Sequence, residues 1–487
     1  MIGLEILLLV LYGLCLTFIL GFSLTQWQLT RLAKRAHQQP VLPTPLLAEW
    51  PLVTVQLPVY NELNVVERVI DAAAALDYPR ERLHIQVLDD STDESVALGA
   101  ARVAHHRALG VCIDHVRRPN REGYKAGALR HGLNETNGEF IAIFDADFVP
   151  DADFLRRTLP HFSSPEVGVV QTRWGHLNEG ESLLTRLQAF GLNAHFLVEQ
   201  VGRSQGSHFI NFNGTGGVWR RTCIADAGGW HTDTLTEDLD LSYRAQLRNW
   251  RFVYLPHVIT PAELPDQMDA LKSQQYRWTK GAAETARKHL GQVLRDPAVT
   301  GATKRHAAFH LLNSTVFVAI LLMTLLSVPI VVLQSEAYLQ PAFKLASVFL
   351  LGFAPLTFYY HASWRWNGGK RGAPLGFAAH FLLFLAVSMG LALHNTRAVL
   401  SGLAGYASEF VRTPKLGAAK RGRVRRRYRT GGLGLMTLLE AMLLGYALLG
   451  IFLAFRLGNF GLLPFHILLV IGYGAVVGYS VAHARRS

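Results

Sequence analysis

The chain has 487 residues, half of them hydrophobic, and a formal net charge of +12 at pH 7. Its mean hydropathy of +0.18 is high for a soluble protein, and its length allows two or three domains. The three cysteines, at positions 15, 112 and 223, have no metal-ligand spacing, so neither a zinc module nor a disulfide scaffold is indicated.

Apolar residues are concentrated in a few long segments with few or no charges. These segments are 2–25, 308–333, 343–360, 376–393, 433–455 and 460–481. A stretch of roughly 20 apolar residues is long enough to cross a bilayer as a helix. The sequence therefore predicts an integral membrane protein.

The first apolar segment resembles a signal peptide in length but lacks a basic start and a clean cleavage site. Arg31, Lys34 and Arg35 follow it. Because basic residues flank the cytoplasmic ends of membrane helices, the chain after residue 25 is expected in the cytoplasm. We therefore interpret residues 1–49 as a membrane helix with a basic flank.

A second basic run, "KLGAAKRGRVRRRYR", covers residues 415–429 between two apolar segments. This position favours membrane lipid headgroups over nucleic acid as its partner, and no nucleic-acid partner is expected. If segment 376–393 crossed the membrane fully, the run would lie outside, against the charge rule. That segment, broken by Gly390, is therefore expected to form an interfacial or re-entrant helix within the membrane region 291–487.

Residues 50–290 alternate short apolar runs with amphipathic stretches, from "LVTVQLPVY" to "EFIAIFDAD". This alternation is typical of β-α-β units with a mostly parallel sheet, so an α/β cytosolic domain is expected between the membrane helices. The part after residue 167 is less regular, with a closing strand "RFVYL". Polar clusters at Tyr60–Glu62, Asp89-Asp90 and Asp145/Asp147 follow the strands. Since ligands bind at the carboxyl ends of parallel strands, these clusters are expected to share one crevice.

Asp145 and Asp147 form a D-x-D pair directly after an apolar run. Two carboxylates at this spacing can hold a hard divalent cation that keeps positions open for phosphate oxygens. The alternative is an acidic loop that caps the next helix, because Asp151 and Asp153 follow.

Two other segments carry groups suited to a nucleotide. Asp89 and Asp90 end a strand, although the "STDES" that follows could also serve as a helix cap. Lys125 opens a helix after Gly123, and a helix N-terminus with an ammonium group suits a diphosphate. The alternative for Lys125 is a solvated surface lysine.

The last two motifs lie closer to the membrane segments. In "TEDLDLSYRAQL", acids at 237, 238 and 240 are expected just before a helix, where a carboxylate could act as a general base. In "QQYRW", Arg277 can bind a diphosphate and Trp278 can stack on a sugar ring. An amphipathic interfacial helix with a tryptophan anchor is the alternative.

The order of these motifs closely resembles the family 2 inverting glycosyltransferases, the cellulose-synthase-like membrane enzymes with a GT-A fold. The order is D-D, a lysine loop, D-x-D, T-E-D and Q-x-x-R-W before membrane spans. "IFDADFVPDADFLRRTLP", "FNGTGGVWRR" and "AGGW" look most like plant-type mannan and glucomannan synthases and their glucan-making relatives. The resemblance covers nearly the whole chain.

The resemblance implies a role for each matching residue. Donor-binding residues would be Tyr60, Glu62, Asp89 and Asp90 at the base and ribose, and Lys125, Asp145 and Arg277 at the diphosphate. Asp145 and Asp147 would bind Mg²⁺ or Mn²⁺, and Asp238 would be the catalytic base. Acceptor-binding residues would be Asn213, Gly214, Thr215, Glu237, Gln274 and Trp278.

Residues 409–417, "EFVRTPKLG", are similar to the gating loop of cellulose synthase, with Thr413 and Lys415 in the gating positions. Arg412 departs from that pattern, which has a small apolar residue there. No domain for a cyclic-dinucleotide regulator is visible after this loop.

The resemblance implies a processive enzyme that extends a β-1,4-linked mannan, glucomannan or glucan and passes it through its own membrane helices. The donor would be GDP-mannose or UDP-glucose, and the membrane the plasma or inner membrane. A second hypothesis is a glycolipid synthase that transfers a hexose to diacylglycerol or ceramide. A third, a non-catalytic transporter or scaffold, is disfavoured by retention of Asp145, Asp147, Asp238 and Arg277.

Overall fold

The computed structural model of the chain describes residues 2–40, 47, 49–369, 374–409, 411 and 434–484. Its centre is a seven-stranded sheet with the strand order β3-β2-β1-β4-β6-β5-β7. The strands are β1 (Val53–Val59), β2 (Leu83–Asp89), β3 (Ile113–Val116), β4 (Phe140–Ile143), β5 (Val167–His176), β6 (Gly217–Arg220) and β7 (Arg251–Ala262). β6 is antiparallel to β4 and β5, and the other pairs are parallel. The predicted mostly parallel α/β sheet is confirmed.

Helices cover the sheet and form the membrane region. In chain order they are α1 (Ile2–Gln38), α2 (Val66–Ala74), α3 (Ser95–Ala108), α4 (Tyr124–Asn134), α5 (Phe154–Thr158), α6 (Leu183–Ala194), α7 (Val201–Gln205), α8 (Arg221–Asp226), α9 (Glu237–Leu247), α10 (Met268–Arg295), α11 (Gly301–Leu311), α12 (Val316–Leu333), α13 (Gln340–Ala346), α14 (Phe353–Trp366), α15 (Pro374–Gly390), α16 (Ala392–Ala404), α17 (Leu435–Leu457) and α18 (Leu463–Ala484). A π-helical segment, His195–Gln200, joins α6 to α7.

The central strands are apolar on both faces because helices cover both sides of the sheet. In β4, Phe140 and Ala142 pack into one hydrophobic core, while Ile141 and Ile143 pack into the core on the opposite face. Successive side chains of a strand point to opposite faces, so a continuous apolar run supplies both cores.

The second core extends into the predicted membrane helices. Ala33 of α1 and Tyr359 of α14 belong to the same buried cluster as Ile141 and Trp219. The sheet and the two helices therefore share one hydrophobic core.

Two sequence expectations about the second half of the domain need correction. The closing strand was expected to end at Leu255, but β7 continues to Ala262 because its pairing with β5 resumes after a bulge and reaches His176. Helix α9 begins at Glu237, so the acids of "TED" lie in its first turn and not before it. Carboxylates in a first turn are stabilised by the positive end of the helix dipole.

Among the described residues, five helices are long and apolar enough to cross a membrane. They are Gly3–Gln38, Asn313–Leu333, Gln340–Trp366, Leu435–Leu457 and Leu463–Ala484. The segments Gly376–Gly390 and Ala392–Ala404 pass the same test together but are bent by 53° at the break between them. That the first of these is interfacial or re-entrant stays a prediction, as do the domain limits.

The bent pair is packed closely against α18. A Cβ added at Gly472 would lie 1.9 Å from the carbonyl oxygen of Ala386, and one added at Gly390 would lie 2.4 Å from the backbone of Gly472. The two helices thus approach at a distance that only glycine permits.

We expect Gly472→Ala to lower the thermal stability of the purified protein in detergent, because the added methyl group forces α15 and α18 apart. Overpacking of this kind costs about 1–3 kcal/mol. Gly474→Ala is the matched control, since a Cβ at Gly474 meets nothing within 4 Å. Equal melting temperatures for the two variants would contradict the close approach.

Candidate active site

One open cleft, with a cavity volume of about 190 Å³, lies at the carboxyl ends of the parallel strands. The predicted site residues that line it are Tyr60, Glu62, Asp90, Lys125, Asp145, Asp147, Asn213, Gly214, Glu237, Asp238, Gln274, Arg277 and Trp278. They come from the ends of β1, β2 and β4, from the starts of α4 and α9, from the loop before β6 and from α10. The structure therefore brings segments more than 200 residues apart to one place.

The D-x-D pair lies in a turn that follows β4. Phe144 and Phe148, on either side of the pair, are buried, so they fix the turn to the core. The backbone N–H of Asp145 donates a hydrogen bond to Thr215 Oγ1 at 2.9 Å, and the N–H of Phe148 donates to the carbonyl of Asp145. Asp147 is only 6% exposed. The local fold thus holds both carboxylates at the cleft.

Lys125 lies at the centre of the charged groups. Its Nζ is 2.6 Å from Asp145 Oδ1 and 3.8 Å from Glu237 Oε1, and it donates to the carbonyl of Gly214 at 2.8 Å. Burial opposes the ammonium charge, but the two carboxylates outweigh it and raise the pKa of Lys125. Lys125 is therefore a part-buried cation paired with acids of the cleft and not the solvated surface lysine of the alternative interpretation.

Asp238 faces the cleft from the first turn of α9. Its Oδ2 lies so close to Gly214 that a Cβ added there, where φ is +79°, would be 3.0 Å from it. Burial raises the pKa of Asp238 to about 7, and the charge of Glu237 adds to the rise. A carboxylate with a pKa near neutrality can accept a proton and later release it.

Asp240, two residues further along, lies outside the cleft. It is fully buried and pairs with Arg244 at 2.8 Å and with Lys288 and His289 at 2.8 and 2.7 Å. Residues two apart on a helix point in different directions, so only one of the two aspartates can face the cleft. Thr236 occupies the N-cap position, but its side chain makes no capping hydrogen bond.

Helix α10 presents Gln274, Arg277 and Trp278 on one face, as residues three and four apart on a helix do. Arg277 donates a hydrogen bond to the carbonyl of Val411 at 3.1 Å. Burial lowers the pKa of Arg277 against the opposing effect of Asp145 and the other acids of the cleft. The ring of Trp278 lies 6.3 Å from that of Trp174.

The expected nucleotide end of the cleft contains a cation–π contact. The guanidinium of Arg121 lies 3.4 Å from the ring centroid of Tyr60. Arg118 binds both carboxylate oxygens of Asp90, at 2.7 and 2.6 Å. Two of the expected ligand-binding side chains are therefore already oriented by arginines.

Two predicted site residues do not line the cleft. Asp89 is 2% exposed; it accepts a hydrogen bond from the backbone of Ser91 and lies 2.8 Å from His115 Nε2. Thr215 is fully buried and supports Asp145 from behind. The structure places both as supports of the residues that line the cleft. Thr413 and Lys415 lie outside the described residues, and of 409–417 only Glu409 and Val411 are described.

The carboxylates of the cleft outnumber its cations. Seven carboxylates line it, namely Glu62, Asp90, Asp145, Asp147, Glu237, Asp238 and Glu263, against the three cations Arg121, Lys125 and Arg277. Asp90 pairs with Arg118 and Glu263 with Arg68 at 2.5 Å, and neither arginine lines the cleft. Among the groups that line the cleft, acids therefore remain in excess of cations. Hard oxygen ligands with this surplus fit a divalent ion such as Mg²⁺ or Mn²⁺.

A second group of side chains is close enough to hold a metal, but cations already occupy it. His231, Asp233 and Asp240 converge outside the cleft. Lys288 Nζ lies 2.8 Å from both carboxylates and 3.2 Å from His231 Nδ1. The ammonium of Lys288 thus balances this cluster, and the D-x-D turn is the better metal site.

Sequence reasoning missed several residues that line the cleft: Arg121, Trp174, His176, Leu235, Glu263 and Leu264. Trp174 and His176 end β5, and Glu263 follows β7. The rule that ligands bind at strand ends would have identified Trp174, His176 and Glu263 if β5 and the full length of β7 had been predicted.

The comparisons with known proteins agree with this geometry. The family model described as glycosyltransferase like family 2 matches residues 51–281. Glucomannan 4-beta-mannosyltransferase 1 of Oryza sativa subsp. japonica is 39% identical over 383 residues, which cover 76% of this chain and 70% of that protein. Glucomannan 4-beta-mannosyltransferase 7 of Arabidopsis thaliana is 40% identical over 329 residues, which cover 63% of this chain and 59% of that protein.

A solved structure shows the same fold. Mannosyltransferase PcManGT from Pyrobaculum calidifontis, in complex with GDP-Man and Mn²⁺, superimposes with a TM-score of 0.55 at 20% identity, and the match covers 82% of this chain and all of that one. The predicted GT-A-type fold is thereby confirmed. The chain belongs to the family 2 glycosyltransferases, in the cellulose-synthase-like group that includes the plant glucomannan 4-beta-mannosyltransferases.

Proposed function

We propose that the protein is a processive, inverting β-1,4-mannosyltransferase that uses GDP-mannose and passes the growing mannan through its membrane helices. One observation carries the proposal: a single cleft joins the D-x-D turn, two part-buried cations and a part-buried carboxylate with a pKa near 7. The names of the plant relatives support mannose as the sugar, and the GDP-Man bound to the archaeal mannosyltransferase supports the donor.

The roles follow from the geometry of the cleft. Asp145 and Asp147 hold Mg²⁺ or Mn²⁺, which when bound offsets the charge of the diphosphate leaving group. Lys125 and Arg277, which line the cleft beside the pair, bind the phosphate oxygens. Trp278 and Trp174 offer ring faces for the acceptor sugars.

Asp238 acts as the general base. It takes the proton of an acceptor hydroxyl while that oxygen forms its bond to the anomeric carbon of the donor. The bond from this carbon to the diphosphate breaks on the opposite face, and the diphosphate leaves with the electron pair. The single displacement inverts the anomeric carbon without a covalent enzyme intermediate.

The membrane part of the proposal rests on the apolar helices. Arg31, Lys34 and Arg35 lie near the end of α1, which favours the cytoplasmic side for the cleft. The hydrogen bond from Arg277 to the carbonyl of Val411 supports a position of Val411 beside the donor site. The plasma or inner membrane is the expected location.

The first test is a donor panel with the purified full chain in detergent. We expect nucleoside diphosphate release with GDP-mannose and Mn²⁺, much less with UDP-glucose, and an insoluble product that a β-1,4-mannanase cuts. Asp238→Asn should lower turnover by about 10²–10⁴-fold, because the base is lost. Asp233→Asn, an exposed acid near the start of α9, is the matched control.

Two results would contradict the proposal. Turnover that requires added diacylglycerol or ceramide, with a product soluble in organic solvent, would identify a glycolipid synthase on the same cleft. Full activity of Asp238→Asn would show that Asp238 is not the base.

The activity should rise with pH through about 7. Asp238 must be ionised to accept a proton, and its pKa of about 7 leaves about one tenth of it ionised one unit lower. Glu237→Gln removes the neighbouring charge that raises this pKa, so the acidic limb of the pH–rate profile should move to lower pH. A limb that stays in place or moves to higher pH would contradict the coupling between the two acids.

Metal binding should depend on the D-x-D pair. We expect chelation to abolish turnover, and we expect Asp145→Asn and Asp147→Asn to weaken Mn²⁺ binding by at least tenfold when it is measured directly by electron paramagnetic resonance. Asp153→Asn, an exposed acid that follows the pair, is the control. Unchanged Mn²⁺ affinity in both D-x-D variants would place the metal elsewhere.

A further inference from the structure

The π-helical segment between α6 and α7 contains two groups that the proposed reaction does not use. His195 and Glu199, at its two ends, face each other, with His195 Nδ1 3.0 Å from Glu199 Oε2. A π-helical turn inside an α-helix changes the direction of the side chains and is frequent at functional sites. Here His195 and Gln200 both contact Asn213, which lines the cleft.

Glu199 is an ionised carboxylate held by donors from separate parts of the chain. It is 5% exposed. Arg203 binds Oε2 at 3.1 Å, while Gln26 of α1 and Tyr359 of α14 donate to Oε1 at 2.8 and 3.1 Å. Burial opposes the charge, but Arg203 and His195 keep the pKa of Glu199 well below its usual range.

This carboxylate determines the tautomer of His195. An ionised carboxylate only accepts hydrogen bonds, so the ring hydrogen lies on Nδ1 and points to Glu199. The other ring nitrogen, Nε2, is then an acceptor, and it lies 3.0 Å from the amide nitrogen of Asn213. The amide of Asn213 therefore donates to His195.

The rest of the Asn213 side chain is held by Gln200. Gln200 Nε2 donates to Asn213 Oδ1 at 2.8 Å and to the carbonyl of Asn211 at 2.8 Å. Both of its hydrogens are thus used, and a flipped Asn213 amide would place two donors against each other. The backbone N–H of Asn213 donates to Gln171 Oε1 at 2.9 Å. The orientation of the amide is fixed from three sides.

Asn213 lines the cleft and precedes Gly214, whose carbonyl accepts from Lys125 and whose Cα lies against Asp238. An amide nitrogen carries two hydrogens, and His195 takes one of them. Within the described part of the chain, no acceptor takes the second. It is available to a hydroxyl oxygen in the cleft.

We propose that His195 and Glu199 are positioning residues that orient the Asn213 amide as a hydrogen-bond donor to a hydroxyl group of the acceptor sugar. The inference rests on the proposed function, because it requires a carbohydrate acceptor in this part of the cleft. Glu199 also links the acceptor subsite to α1 and α14 through Gln26 and Tyr359.

The test separates acceptor binding from donor binding. Purified full-length protein is assayed with GDP-mannose and a soluble β-1,4-manno-oligosaccharide. We compare His195→Ala, Asn213→Ala and the double variant with the wild type. The quantities measured are the KM of each substrate, the kcat, the Kd of GDP and the slow release of GDP without acceptor. We expect both single variants to raise the acceptor KM about tenfold, as for loss of one hydrogen bond. The Kd of GDP should change less than twofold.

The acceptor KM of the double variant should be no higher than that of Asn213→Ala, because His195 acts through Asn213. His195→Gln keeps one donor and one acceptor and should give a smaller rise in acceptor KM; it also serves if His195→Ala does not fold. His208→Ala is the matched control: this half-buried histidine stacks on His306 and bonds Thr303, away from the cleft.

Several outcomes would overturn the inference. A loss of GDP affinity equal to the loss of acceptor affinity would indicate a general structural defect. A rise in acceptor KM in the double variant equal to the product of the two single rises would also overturn the inference. A wild-type protein that turns over GDP-mannose but elongates no oligosaccharide would contradict the proposed function and the subsite together. A wild-type protein that elongates, with variants that match it, would contradict the subsite alone.

Discussion

The ammonium of Lys125 joins three parts of the chain that would otherwise repel one another. It lies between Asp145, which follows β4, and Glu237, which begins α9, and it binds the carbonyl of Gly214 before β6. Two carboxylates brought together in a buried cleft destabilise each other unless a cation lies between them. Gly123 is the N-cap residue of α4, the helix that carries Lys125; its φ is +68°, and a Cβ there would meet Thr232 at 2.3 Å. The assembly of the cleft therefore depends on this lysine and on the glycine that places it.

Lys125 neutralises only part of the negative charge of the cleft. Glu237 and Asp238 keep raised pKa values beside it, with burial as the main cause. A cleft with unneutralised carboxylates is costly to the fold but well suited to a cationic ligand, because the cost is recovered when the cation binds. Electrostatic groups fixed before the ligand arrives need no rearrangement during the reaction. This charge supports the proposed metal site, and the charge of Glu237 adds to the effect of burial on the pKa of Asp238.

The sequence was informative where function follows the ends of regular strands. Asp145 and Asp147 could be assigned to the cleft because an apolar run ends just before them. Only the match to the T-E-D motif distinguished Asp238 from Asp240, since helical periodicity does not show which of them contacts Arg244 and which lines the cleft. The π-helical segment was also beyond sequence reasoning, because the sequence pattern does not show one extra residue in a helical turn.

The length of helix α10 sets the distance between the cleft and the predicted membrane helices. α10 carries Trp278 at the cleft and Lys272 at a buried ion pair with Glu440 of α17, 2.7 Å apart. Six residues separate the two, which is about 9 Å along an α-helix. Gly281 packs directly on Thr236, and a Cβ at Gly402 of α16 would lie 2.6 Å from the carbonyl of Lys280, so α10 is held tightly on both sides. A sugar stacked on Trp278 therefore lies less than two helical turns from the membrane helices. An acceptor elongated there needs to move only a short way to enter them, which is the arrangement that a processive enzyme requires.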